Sequence, residues 1–401
     1  MGQKQSTVVS DNPEVQKIYE IAKSEGPAAL QRYLDVTLNK WKTESVKFGI
    51  IGKTNVGKST FINSIRGVTV GNKGYAAVGR GNTTQSPTSY YHPENDNIEF
   101  VDLPGVGTTK FPKQTYIGNM KVSEYDYFFI FFDTVLCEDD IWIASQLLKL
   151  GKSFSFVRSK IDKDVKHGLE NNETEEEVLT RIREIFKSTL DENIELKTFA
   201  EIFLISSKTP SIGEMDKLNK HILDSLSSLN QEKFRVVVFS FGPMSEVVID
   251  EKYKSLKKRA IAVTVGTSII SGIPLPFVDL AINIGIIVAE IRHYIKVFGL
   301  SEKQMELLQN FDYSQLKCKG LLFKKPTLQD ITFIVRQQYT KFLATFALVA
   351  LESVFDVLVP IVGSVISSAT TAGIVHKFLN NYLDDLRHDA IIVYNHVTPK
   401  N

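Results

Sequence analysis

Apolar residues are distributed along the chain in two regimes. Between Val46 and about Leu229, short continuous apolar runs alternate with segments of helical periodicity. The runs are Val46–Ile51, Ile98–Val101, Tyr127–Phe132, Phe154–Val157 and Ile202–Ile205. Runs of this length with no polar alternation are strands buried on both faces, so the pattern predicts a mostly parallel sheet flanked by helices. The segment Glu173–Glu192 is an amphipathic helix with its acids gathered at the positive N-terminal end. Residues 12–45 carry Ile18, Ile21, Leu30, Leu34 and Leu38 on helical spacing. After residue 230, Phe234–Ser240 reads as a short strand. Helical patterns follow over Ser245–Val263, Pro276–Phe298, Ser301–Asn310, Leu328–Leu358 and Val375–Tyr394. Three regions are therefore expected: an N-terminal helical segment over 1–45, an α/β domain over 46–230, and a helical domain over 231–401. No internal repeat is visible.

Two uncharged stretches, Ala260–Val278 and Val357–Val375, reach the length at which a membrane span must be weighed. The first contains Pro274 and Pro276, which break a helix, and the second carries Pro360, Gly363 and several Ser and Thr. Both read as helices packed against each other, and no span is assigned. The chain opens Met1-Gly2-Gln3-Lys4-Gln5-Ser6, which fits the myristoylation pattern with Gly2 as acceptor. One such chain holds a membrane only marginally, so stable attachment needs a second contact.

Composition narrows the field. Of 401 residues 23% are charged and 43% hydrophobic, as in ordinary globular proteins. Lys and Arg total 47 against 46 Asp and Glu, a net charge of +1, which argues against a nucleic-acid partner. Two cysteines, Cys137 and Cys318, exclude a disulfide framework and a cysteine zinc site and suit a reducing cytoplasm.

The chemistry is concentrated at strand ends. Gly52-Lys53-Thr54-Asn55-Val56-Gly57-Lys58-Ser59, followed by Thr60, fits G-x-x-x-x-G-K-[ST] directly after a strand and before a helix. The glycines let backbone N–H groups curl around an anion, Lys58 reaches the outer phosphates, and Ser59 offers a hydroxyl to Mg2+. Asp102-Leu103-Pro104-Gly105 ends the next strand: Asp102 faces the magnesium and Gly105 the γ-phosphate. In the intervening loop, Gly71–Thr88, Thr84 or its neighbour Thr83 is the candidate to close on the metal. Where many such enzymes carry a water-orienting Gln after Gly105, this chain has Val106. Turnover by an isolated copy should be slow, the missing group coming from a partner or a second copy.

Ser159-Lys160-Ile161-Asp162 occupies the place of the guanine-reading [NT]-K-x-D. A carboxylate there accepts from the ring N–H and the exocyclic amine of guanine; adenine would leave it unpaired. Ser206-Ser207-Lys208, after the last strand, supplies a backbone N–H for the guanine carbonyl. The order of these elements predicts GTP and GDP as ligands rather than ATP.

With these motifs in place the chain resembles the immunity-related GTPases, the interferon-inducible IRG family, over nearly its whole length. The resemblance is carried by Asp102–Pro112 (DLPGVGTTKFP), Glu124–Phe128, Phe154–Asp162 and Val297–Leu300. It implies a P-loop GTPase domain with an all-helical domain built from the N- and C-terminal segments. It further implies GTP hydrolysis activated by self-assembly through the nucleotide face, and peripheral attachment to the endoplasmic reticulum or other endomembranes in cell-autonomous defence. Related regulatory GTPases are implied as partners. Lys58 places the chain with the G-K-S subgroup, usually effectors, rather than the G-M-S regulators. Lys53 stands where many members carry Glu, and Asn55 where a Gly is common, so the family's catalytic arrangement does not transfer directly. A non-catalytic, nucleotide-dependent scaffold is the alternative. A ribosome-associated GTPase, suggested by Asn55–Ser59, expects a basic RNA-binding domain that the net charge does not supply.

Overall fold

The computed structural model describes residues 27–78, 86–241, 245–271, 278–301, 310–322, 331–341 and 364–397, with 17, 20, 21, 24, 25, 305, 308 and 329. Gly2, Thr83 and Thr84 lie outside them. The chain divides into two compact units: Trp41–Val248, and the described residues up to Lys40 together with those from Ile249 onward.

The first unit is built on six strands: β1 (Val46–Gly52), β2 (Thr88–His92), β3 (Asn95–Asp102), β4 (Tyr127–Phe132), β5 (Ser153–Arg158) and β6 (Ile202–Leu204). They lie in the order β2-β3-β1-β4-β5-β6, parallel except for β2, which runs antiparallel to β3 at the edge. All of β4 is buried, and its alternation divides the core between the two faces. Tyr127, Phe129 and Phe131 share a face with Phe48 and with Phe61 of helix α2 (Lys58–Ile65), whose ring meets Phe129 and Phe131 at 5.1 Å. Phe128, Ile130 and Phe132 join the opposite cluster with Val101, Leu103, Phe156, Ile143 and Phe186. Gly49 is required where β1 passes β4, because a Cβ there would lie 2.5 Å from the Phe128 ring.

The helices of this unit, besides α2, are α3 (Lys113–Asn119), α4 (Glu138–Lys149), α5 (Ile161–Glu170), α6 (Glu175–Thr189), α7 (Ile194–Phe199), α8 (Met215–Leu229) and α9 (Gln231–Ser240). The amphipathic acid-headed segment is α6, capped by a reciprocal Thr174–Glu177 box. The stretch expected as a strand over Phe234–Ser240 is the helix α9. Val236, Val237, Val238 and Phe239 are all buried, and a continuous apolar run of that kind does not separate strand from buried helix. The deciding signal is Asn230, whose side chain accepts from the amides of Glu232 and Lys233 at the helix start.

Among the described residues, the α-helices of the second unit are α1 (Pro27–Asn39), α10 (Glu246–Ser271, entered from the first unit), α11 (Val278–Val297), the single turn α12 (Lys319–Leu322) and α13 (Ser364–Val397). Arg259 of α10 binds Glu290 of α11 through two hydrogen bonds of 2.7 and 3.0 Å and donates to the Leu38 carbonyl in the last turn of α1. Among the described residues no helix is long and apolar enough to cross a membrane.

Candidate functional site

The carboxyl ends of the parallel strands place four separated segments around one cavity of about 460 Å³. It is lined by Thr54, Asn55, Gly57, Lys58, Ser59 and Thr60 after β1, by Asp102 ending β3, by Ser159, Lys160 and Asp162 after β5, and by Ser207 and Lys208 after β6. Gly52, Lys53, Val56, Gly105 and Ser206 are not on its wall. Val56 and Ser206 are buried behind it, and the Ser206 hydroxyl accepts from the amide of Thr209, bracing the last loop. Ala77, Val78 and Lys163 also line it and were missed from sequence. Lys163 follows Asp162 on the first turn of α5; the other two belong to a loop whose path only the fold reveals.

The phosphate loop is held open by backbone conformation. Gly57 has φ +101° as the residue before α2, and Asn55 has φ +66°. Asn is among the few side-chain-bearing residues that tolerate this left-handed region. Lys58 folds across the loop, donating to the carbonyls of Gly52 (2.7 Å) and Lys53 (2.9 Å), with Asp102 Oδ1 at 3.8 Å. Burial lowers its pKa, opposed by the Asp102 carboxylate.

The Ser159–Asp162 loop is tied to the phosphate loop. Ser159 Oγ donates to the Val56 carbonyl, and Lys160 Nζ to the Asn55 carbonyl and to Asp133 at 3.1 Å. The hydroxyl at 159, where Asn or Thr is usual, thus bridges the two loops. Arg158 beneath it binds both Asp164 oxygens (3.1 and 3.0 Å) and the Ser159 carbonyl, fixing the start of α5 and with it Asp162.

Behind Asp102 the chain is equally constrained. Buried Tyr116 of α3 donates to the Pro104 carbonyl at 2.7 Å. Val106 joins the apolar cluster of the sheet. Lys53 lies by the N-terminus of α4, where Cys137 first and then Asp140 and Asp139 raise its pKa.

The donor set bears on magnesium. Ser59 and Asp102 line the same cavity with one hydroxyl and one carboxylate, hard oxygen donors of the kind Mg2+ takes alongside phosphate oxygens. Among the described residues no group of three or more His, Cys, Asp or Glu is placed to hold an ion unaided. These residues fit a metal that arrives with its nucleotide.

The model of the interferon-inducible GTPase (IIGP) family matches residues 16–359. The chain belongs to this family. It is 32% identical over 282 residues to the T-cell-specific guanine nucleotide triphosphate-binding protein 2 of Mus musculus, covering 68% of this chain and 65% of that protein. It is 30% identical over 309 residues to interferon-inducible GTPase 1 of Mus musculus (75% and 72%) and 23% identical over 368 residues to interferon-inducible GTPase 5 of Rattus norvegicus (91% and 78%). Among solved structures, Era from Aquifex aeolicus bound to GDP and AlF4− is similar over 46% of this chain and 57% of that one, at 26% identity and a TM-score of 0.32. The family match bears out the resemblance read from the Asp102–Pro112 and Phe154–Asp162 motifs.

Proposed function

We propose that the protein is a GTP-binding and GTP-hydrolysing switch. The observation that carries this reading is the single cavity in which the phosphate loop, Asp102, the Ser159–Asp162 loop and the Ser207–Lys208 turn converge. The amides of residues 54–60 at the start of α2 suit phosphate oxygens, and Lys58 exchanges its two loop carbonyls for the outer phosphates. Ser59 and Asp102 would hold Mg2+. When bound, that ion neutralises charge developing between the β- and γ-phosphates. Asp162 reads the guanine edge, assisted by the amide of Ser207, and Lys160 lays its stem along the base.

The residue after Gly105 offers no water-orienting group, since Val106 is turned into the apolar core. Lys53, engaged with the N-terminus of α4, supplies no base either. We therefore assign completion of the site to a second copy meeting the nucleotide face, in a protein held peripherally at intracellular membranes by acylated Gly2 and a further contact. The test is phosphate release against protein concentration, beside light scattering and titration with GTP, GDP and ATP. Turnover per molecule should rise with concentration while ATP binds weakly. A rate that is high and flat at nanomolar protein overturns assembly-dependent catalysis. Phosphate release that stays nil at every concentration replaces the enzyme by a nucleotide-dependent scaffold. Pelleting with vesicles, compared between acylated protein and Gly2→Ala, tests the membrane step.

A further inference from the structure

Among the described residues that line the nucleotide cavity, all are polar, charged or glycine except Ala77 and Val78. These two come from the loop between α2 and β2, and what delivers them is an amide clamp. Buried Asn63, one helical turn beyond Thr60, donates from Nδ2 to the Ala76 carbonyl and accepts from the Ala76 amide, both at 2.8 Å. The residue it grips is itself fully buried. The same helix end holds the loop again: Arg66 donates to the Gly74 carbonyl at 3.0 Å and to the Tyr91 carbonyl of β2 at 2.9 Å, while the Val68 amide donates to the Asn63 carbonyl.

We infer that Asn63 is a positioning residue that fixes Val78 as an apolar wall for the nucleoside portion of the bound nucleotide. The inference rests on the guanine-nucleotide reading above and deepens it. Phosphate oxygens gain nothing from a hydrocarbon surface and lose hydration against it. The carbon skeleton of the sugar and base gains from it in proportion to the area covered. Val78 is 51% exposed, far more than an interior valine, and it lines this cavity among mostly polar and charged residues. An amide gripping both polar groups of one residue is also a specific arrangement: no other side chain of similar size offers a donor and an acceptor in that fork. Because Asn63 lies on the helix that begins at Lys58, the wall and the phosphate loop are carried by one rigid element.

The test uses the full chain and GDP carrying a fluorophore on the ribose, displaced by unlabelled GDP and by inorganic tripolyphosphate. Val78→Ala should weaken GDP by about 3- to 10-fold, as expected for removing two half-covered methyl groups, and shift tripolyphosphate by less than about 2-fold. Asn63→Ala should weaken GDP at least as much. Adding Val78→Ala to Asn63→Ala should then cost little more, since the wall is already released. Asn63→Asp, which keeps the acceptor for the Ala76 amide but sets a carboxylate oxygen against the Ala76 carbonyl, should weaken GDP at least as much as Asn63→Ala. A merely structural Asn63 would lower the melting temperature and leave the two substitutions strictly additive, and that result overturns the inference. So does a GDP affinity unchanged in Val78→Ala, or an equal loss for tripolyphosphate. Should Asn63→Ala fail to fold, Val78→Ala at its half-exposed position still decides. Wild-type protein that binds no guanine nucleotide overturns both readings, whereas normal binding with an inert Val78→Ala overturns only this one.

Discussion

Gly57→Ala tests how the two ligand loops are joined. Gly57 has φ +101°, a conformation that strains any residue with a Cβ by about 1–2 kcal/mol. The added methyl would also lie 2.9 Å from Ser159 Oγ and 3.3 Å from Ser159 Cβ. Ser159 cannot step aside freely, because it is buried and its hydroxyl donates to the Val56 carbonyl. Moving it forfeits that bond and leaves a buried carbonyl unpaired, roughly 1–1.5 kcal/mol more. The total is about 2–3.5 kcal/mol, which in a unit the size of Trp41–Val248 lowers the melting temperature by about 5–12 °C. Thermal melts followed by circular dichroism, with and without GDP, measure it. The decisive step is to add Ser159→Ala. Alone it should cost about 1 kcal/mol; on top of Gly57→Ala it should cost much less, because the bond it deletes is already broken. A Gly57→Ala protein that melts like wild type, or two substitutions whose costs simply add, refutes the bridge.

Three further outcomes are expected. Asp162→Ala should weaken GDP by at least about 100-fold, through loss of two charge-assisted hydrogen bonds, and narrow the gap between guanine and adenine nucleotides in calorimetry. Tyr116→Phe removes the donor to the Pro104 carbonyl and should lower stability by about 1–2 kcal/mol, with slower phosphate release because Gly105 follows that carbonyl; an unchanged melt and rate would contradict it. Lys252 is fully buried and donates to the Val297 carbonyl, and burial lowers its pKa to about 7, against about 10.4 in an unfolded chain. Between these values the unfolded chain binds the extra proton, so stability rises with pH across that window, and below about 7 the penalty is present in full. Lys252→Met should flatten the dependence in urea melts from about pH 6.5 to 9.5.

The loops that meet at the cavity were legible because each is short in sequence and carries a fixed pattern of residue types. Asp162, Lys58 and Asp102 could be named without knowing the fold. The parallel sheet was legible from runs such as Tyr127–Phe132, which have no polar alternation. What escaped depends on distant contacts. β2 (TSYYH) is half-exposed and carries almost no periodic signal, so its pairing with β3 is visible only in three dimensions. The valine run of α9 looks the same in sequence whether strand or helix buries it, and only Asn230 distinguished them. Ala77 and Val78 reach the cavity through the Asn63 clamp, a pairing across 13 positions that no local pattern encodes. That Val106 points into the core, rather than merely lacking a polar group, likewise follows from the packing of α3 and α4 against β4.

The strand β4 has a consequence for biogenesis. Its sequence, YFFIFF, contains no charge, proline or glycine, and in the finished molecule it is wholly buried between β1 and β5. A ribosome delivers β1 before it but β5 only afterwards, so during synthesis one edge of this aromatic ribbon waits with unsatisfied amides. Six such residues are the composition that seeds intermolecular ladders. Refolding from denaturant should therefore lose material to precipitation more steeply with concentration than equilibrium stability alone would suggest, and truncations ending before Arg158 should accumulate in inclusion bodies.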